Sequence, residues 1–91
     1  MEEIEKLRSK LDEIDIKLLE LIMKRIDIVR LIGSIKKRHN MPITDKDREE
    51  EVYNKVVKFA LLHNMDSYQV KIIFREIMML SKKVQNKVQK N

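Results

Sequence analysis

The sequence predicts an all-α protein of three helices per chain, one long and two shorter, paired as an intertwined homodimer helical bundle. Three observations carry this expectation. The 91 residues include one glycine and one proline, with 43% hydrophobic and 38% charged residues, a balance that suits long amphipathic helices and few tight turns. The apolar residues Ile4, Leu7, Leu11, Ile14, Leu18, Leu21, Ile28, Ile32 and Ile35 alternate in steps of three and four, interrupted only at position 25. A rod of that length is more than so short a chain can wrap by itself, so a second copy is expected to cover it.

The first helix is expected from about Glu3 to Arg38, a rod of about 50 Å. Gly33 costs it about 1 kcal/mol relative to alanine, and the missing side chain admits a ligand or a closely packed helix. The segment "RHNMPIT" then ends the helix, with Asn40 as a left-handed cap and Pro42 unable to continue it. Thr44 opens the second helix in the capping pattern "TDKD". Its inner face is read as Val52, Val56, Phe59, Ala60 and His63, near which it ends. After "HNMD", Asp66 and Gln69 form another cap signature, and Val70, Phe74, Ile77, Val84 and Val88 mark a third helix almost to the C-terminus, where "KVQKN" is expected to fray. No repeat, low-complexity tract or linker interrupts the chain, so residues 1–91 are expected to form a single domain.

Composition narrows the chemistry. Without cysteine there is neither a disulfide framework nor a thiolate metal site, and the chain suits a reducing compartment such as the cytoplasm. No apolar run approaches the roughly 20 residues that span a bilayer, and "MEEIEKLRSK" lacks the apolar core of a signal peptide, so a soluble protein with no membrane partner is expected. A net charge of +5 suits nucleic acid or any small anion. Tyr53, Phe59, Tyr68 and Phe74 do not interleave with basic residues in the manner of a base-stacking surface, so nucleic acid is not the expected partner. His39 and His63 lie in or beside loops with no second ligand at metal spacing, and no metal is expected.

The interruptions of the apolar pattern are the informative residues. Arg25 fills the position where leucine or isoleucine is due, and Lys36, three turns further on, points the same way. Ser81 interrupts the third helix's series, with Gln85 one turn later on that side. In the second helix, Asp45, Arg48, Glu49 and Val52 share a face at whose mouth backbone N–H groups are free. Each residue also has an ordinary reading. Arg25 suits a register-setting position in a coiled coil, and Lys36 a side chain snorkelling to solvent. Ser81 suits a bond back to its own helix, and Gln85, Arg48, Glu49 and Arg8 suit solvated surface. Their joint occurrence favours a site, because a buried guanidinium without a partner costs several kcal/mol and so calls for an anion. Ser81 has no histidine or lysine base near it in sequence, and no glycine-rich turn offers a phosphate cradle, which disfavours nucleophilic catalysis and nucleotide binding. What remains is a set of donors that can act by fixing a conformation and stabilising developing negative charge.

The motifs "LRSKLDEIDIKLLELIMKR", "GSIK", "PITDKDREEEV" and "SKKVQ", in this order and spacing, resemble those of the all-helical chorismate mutases over essentially the whole chain. The resemblance implies an intertwined homodimer that converts chorismate to prephenate without a cofactor, in phenylalanine and tyrosine biosynthesis. It also implies roles. Arg8 resembles the arginine that enters the other subunit's pocket; it stands about 25 Å along the helix from Arg25 and about 40 Å from Lys36, too far for one chain to gather all three. Arg25 and Ser81 resemble the residues that hold a substrate carboxylate. Lys36 and Gln85 resemble the pair that donates to the ether oxygen. Asp45 and Glu49 resemble those at the ring hydroxyl, with Arg48 organising the carboxylate side. None of these eight positions departs from the family's pattern. Three rivals differ in what they require. An isochorismate pyruvate lyase shares the pocket but lacks part of the "TDKDRE" set, a non-catalytic regulatory or dimerisation module needs no full polar set, and a basic coiled coil that binds nucleic acid would carry its cations outside.

Overall fold

The structure, a computed structural model, describes residues 1–90. It consists of α1 (Glu2–Arg38), α2 (Lys46–Leu62) and α3 (Ser67–Lys90). The long first helix is favoured at both ends by charge: Glu2, Glu3 and Glu5 occupy its first turn, and Lys36, Lys37 and Arg38 its last, each complementing the helix dipole. It stops at Asn40, which adopts φ 53°, a left-handed conformation that asparagine tolerates better than most residues. The Asn40 N–H donates to the Lys37 carbonyl at 3.3 Å and the Met41 N–H to the Lys36 carbonyl at 2.8 Å, the paired bonds of a Schellman cap. The end of α2 repeats the device, with Asn64 at φ 54° and the Met65 N–H donating to the Ala60 carbonyl at 2.9 Å.

The cap of α2 is Asp45, not Thr44. Its backbone is extended, and its carboxylate accepts from the Arg48 N–H at 3.0 Å. A carboxylate satisfies an orphan N–H and also meets the positive end of the helix, which a hydroxyl does only weakly. Asp66 plays the corresponding part for α3, accepting from the Gln69 N–H at 3.1 Å. That helix continues through Lys90 instead of fraying within "KVQKN", where Lys37 Nζ donates to the Val88 carbonyl at 3.3 Å and ties its last turns to α1; Asn91 lies outside the described residues.

α3 packs against both α1 and α2, which do not pack on each other. The buried apolar residues are Val29, Ala60 and Met78, one from each helix. The α1–α3 contact is close because of Gly33: a Cβ built there would stand 3.3 Å from Gln85 Cγ and 3.4 Å from Gln85 Cα. The face that α1 turns to its own chain therefore carries Arg25, Val29, Gly33 and Lys36, while Ile28, Ile32 and Ile35 of the expected seam are exposed. Phe59, expected on the inner face of α2, is also exposed and lies against the His63 ring at 4.2 Å between centroids.

Residues 1–21 are exposed without exception, so the first half of α1 projects beyond the other helices. The backbone spans 55 × 29 × 14 Å with a radius of gyration of 16.6 Å, where a compact chain of this length would have about 12 Å. No large side chain is fully buried among the described residues.

The Gly33 contact gives a stability prediction. Gly33→Leu should force α3 away from α1 and cost about 1–3 kcal/mol, lowering Tm by about 4–8 °C per kcal/mol in thermal melts. Gly33→Ala should stay near wild type, because about 1 kcal/mol of helix propensity offsets its milder crowding. Equal Tm values for wild type and Gly33→Leu would show that the close approach does not matter.

Candidate active site

Where the C-terminal part of α1 faces α3, with the 39–45 loop and the first turns of α2 alongside, the chain lines an open cavity of about 150 Å³. Its polar lining is Arg25, Lys36, Asp45, Arg48, Glu49, Lys82, Ser81 and Gln85; Val29, Ile32, Ile43, Val52 and Met78 complete the wall. Seven of the eight residues singled out from the sequence therefore meet in one place. Arg8 does not: it is exposed on the projecting part of α1, paired with Glu5 at 2.9 Å.

Arg25 is half-buried and forms no ion pair among the described residues. Its Nη1 donates to Ser81 Oγ, and the Ser81 hydroxyl in turn donates to the Ile77 carbonyl at 3.0 Å. Ser81 thus makes the bond back to its own helix and also anchors the guanidinium. Burial, and after it the repulsion of Arg48, pushes the Arg25 guanidinium below its ordinary range. The folded chain accommodates this cation at a cost that a bound anion would relieve.

Lys36 points inward and does not snorkel. Its Nζ donates to the Ile43 carbonyl at 2.8 Å, which uses one of three N–H bonds. Gln85 is buried; its Nε2 reaches the Ser81 carbonyl only at 3.5 Å, and its Oε1 has no hydrogen-bond partner. The unpaired oxygen is an acceptor and costs about 1–3 kcal/mol, whereas Nε2, held only at 3.5 Å and with a second N–H, is the part of the amide able to donate to a bound acceptor. Gln89 Nε2, one turn on, is similarly buried and unpartnered.

At the α2 side, Asp45 is engaged with the Arg48 N–H, while the Arg48 guanidinium pairs with Glu51 at 3.4 Å. Glu49 pairs with Lys82 at 2.5 Å. Lys82 is the lining residue that sequence reasoning missed. The signal was its position three residues before Gln85, which puts it on the same face of α3. With Lys82 included, four cations line the cavity; Glu49 pairs with Lys82 and Glu51 with Arg48, while Arg25 and Lys36 have no carboxylate partner among the described residues. Two such cations suit an anionic ligand. Among the described residues no group of three or more His, Cys, Asp or Glu could hold a metal, and no helix is long and apolar enough to cross a membrane.

The sequence profile of chorismate mutase type II matches residues 7–86. The chain belongs to the chorismate mutase type II family. It is 36% identical over 66 residues to a chorismate mutase of Methanocaldococcus jannaschii, covering 72% of this chain and 67% of that protein. It is 38% identical over 58 residues to a bifunctional chorismate mutase/prephenate dehydratase of Aquifex aeolicus, covering 64% of this chain but 16% of that much longer protein. It is also 33% identical over 64 residues to a 4-amino-4-deoxychorismate mutase of Streptomyces venezuelae, covering 70% of this chain and 62% of the relative.

For a domain of the chorismate mutase type II family, the strained environment of Arg25 predicts a trade between stability and activity. The lowered affinity of the folded state for the Arg25 proton destabilises the fold at every pH below that lowered value, which includes the whole neutral range. Arg25→Leu should therefore leave the ligand-free Tm at or above that of wild type across pH 6–8, while kcat/KM for chorismate falls by about 10²–10³ or more. A clear drop in Tm would show that Arg25 supports the fold instead.

Proposed function

We propose that this chain converts chorismate to prephenate by a Claisen rearrangement in the cavity between α1 and α3, in the service of aromatic amino-acid biosynthesis in the cytoplasm. The observation that carries the proposal is the convergence of Arg25, Lys36, Ser81 and Gln85 on one cavity in which Arg25 and Lys36 have no carboxylate partner among the described residues. The Ser81 hydroxyl is committed to Ile77 and Arg25, with no base aligned on it, which speaks against covalent catalysis. The rearrangement needs none. The ether carbon–oxygen bond breaks as a carbon–carbon bond forms between the enolpyruvyl arm and the ring, with no proton transfer and no co-reactant.

In this reading Arg25, steadied by Ser81, takes one substrate carboxylate and holds the enolpyruvyl arm folded over the ring. As the ether bond stretches, its oxygen gains negative charge. The Lys36 ammonium and the Gln85 amide, on facing helices, donate to it more strongly in the transition state than in the ground state. Asp45 and Glu49 receive the ring hydroxyl, and Arg48 organises the carboxylate side.

The second carboxylate is assigned to the partner subunit's Arg8 in an intertwined homodimer, each chain acting as one mutase domain. Support for pairing lies in the exposed row Leu7, Leu11, Ile14, Leu18 and Leu21 on a stretch of helix that nothing in its own chain covers. A contiguous apolar surface of that length is expected to be buried. A second chain laid along it also brings an arginine that stands about 25 Å from Arg25 in its own chain to the pocket.

Purified protein should consume chorismate, and Lys36→Ala and Gln85→Ala should each reduce kcat/KM by about 10²–10³; wild type as inactive as the variants would end the mutase reading. Because the Gln85 amide carries no titrating proton, kcat/KM should change little between pH 5 and 8. Gln85→Glu should lose activity as pH rises through the range where that carboxyl ionises, and a steep loss in wild type would count against Gln85 as the donor. Mixing inactive Arg8→Ala and Arg25→Ala chains should restore roughly a quarter of wild-type activity, since half of randomly paired dimers carry one intact pocket of two. No recovery would refute the shared pocket.

A further inference from the structure

The two kinds of mutase among the relatives act, by their names, on rings that differ at one substituent: a hydroxyl in chorismate, an amino group in 4-amino-4-deoxychorismate. The first is neutral and the second is an ammonium at neutral pH. Discrimination between them is therefore an electrostatic matter at whichever residues meet that position. Resting on the reading that Asp45 and Glu49 meet it, we propose that Lys82 is the residue that sets this choice, committing the site to the hydroxyl.

Lys82 and Glu49 both line the cavity, from α3 and α2 respectively, and their side chains meet at 2.5 Å while only partly exposed. A lone carboxylate in such a half-buried place would attract an ammonium strongly. Paired with Lys82, Glu49 still has lone pairs with which to accept a hydroxyl proton, but its charge is already balanced. An ammonium brought to the same carboxylate must either displace Lys82 or lie beside it, and juxtaposed like charges repel strongly at a partly desolvated contact. The other carboxylate of the cavity gives no escape, because Asp45 is held at the N-terminus of α2 by the Arg48 N–H and faces the positive end of that helix. The repulsive element in the selection is the second cation, and it comes from the same helix that contributes Ser81 and Gln85 to the cavity.

The test is kcat/KM for chorismate and for 4-amino-4-deoxychorismate with wild type, Lys82→Met and Lys82→Arg. Wild type should favour chorismate. Lys82→Met, which keeps an unbranched chain and removes the charge, should move the ratio of the two values by about tenfold or more toward the amino substrate, whereas Lys82→Arg should keep the wild-type preference. Wild-type discrimination should also narrow as pH is raised past the point at which the amino substituent loses its proton, a readout that needs no variant. A ratio unmoved by Lys82→Met, together with a flat wild-type pH dependence, would overturn the role of Lys82 while leaving the mutase assignment intact. Wild type inactive on both compounds would overturn the mutase assignment and this inference together.

Discussion

The close approach of α3 to α1 at Gly33 is the contact on which the site depends. With no side chain in the way, the Gln85 backbone lies against α1, so its amide and the Ser81 hydroxyl one turn earlier reach the row that carries Arg25 and Lys36. Two helices held farther apart would leave these donors facing solvent, where each would be satisfied by water and worth little. The same closeness makes the interior polar where an ordinary bundle is apolar. Gln85 is buried where leucine would have packed, and the chain does not satisfy its oxygen.

The chain therefore keeps its site at the expense of its fold. Arg25 sits where burial and Arg48 both disfavour its charge, and among the described residues three apolar ones are all that is buried of the hydrophobic set. Such a molecule holds preorganised dipoles and charges that need little rearrangement when negative charge develops. A domain so sparingly packed gains from any partner that binds only its folded form, whether a second chain on the exposed row of α1 or a dianion in the cavity. Stability and function then draw on the same contacts.

Much of this was legible in the sequence, for identifiable reasons. The three-four alternation fixed the existence and length of α1, because periodicity survives whatever the helix packs against. Asn40 announced its turn through the conformation it tolerates, and "HNMD" marked the second turn without singling out Asn64. Periodicity did not say which partner the apolar row faces: Ile28, Ile32 and Ile35 read as core, yet within the chain the buried row is Arg25, Val29, Gly33 and Lys36, about 100° round the helix. A row can be hydrophobic for the sake of a surface the single chain does not contain. Lys82 stayed hidden because its place three residues before Gln85 is a weak signal among 20 basic residues until Glu49 is seen opposite it. Arg25 and Ser81 were legible because they interrupted apolar series, and Lys36, Gln85, Asp45, Arg48 and Glu49 through the faces they share, whereas Arg8 lies apart because distance along a rigid helix cannot be shortened.

Lys36 ends α1 in two senses at once. Its carbonyl accepts the Met41 N–H that closes the helix, and its ammonium reaches past that turn to the carbonyl of Ile43. The side chain is thereby tethered at both ends, like a spoke between hub and rim, and its long flexible stem has lost most of its freedom before any ligand arrives. One N–H is spent on the tether and two remain, aimed by it. The turn that stops the helix thus also steadies the ammonium that faces the cavity, and a change in the length of the 39–45 loop would re-aim that charge without altering a single lining residue.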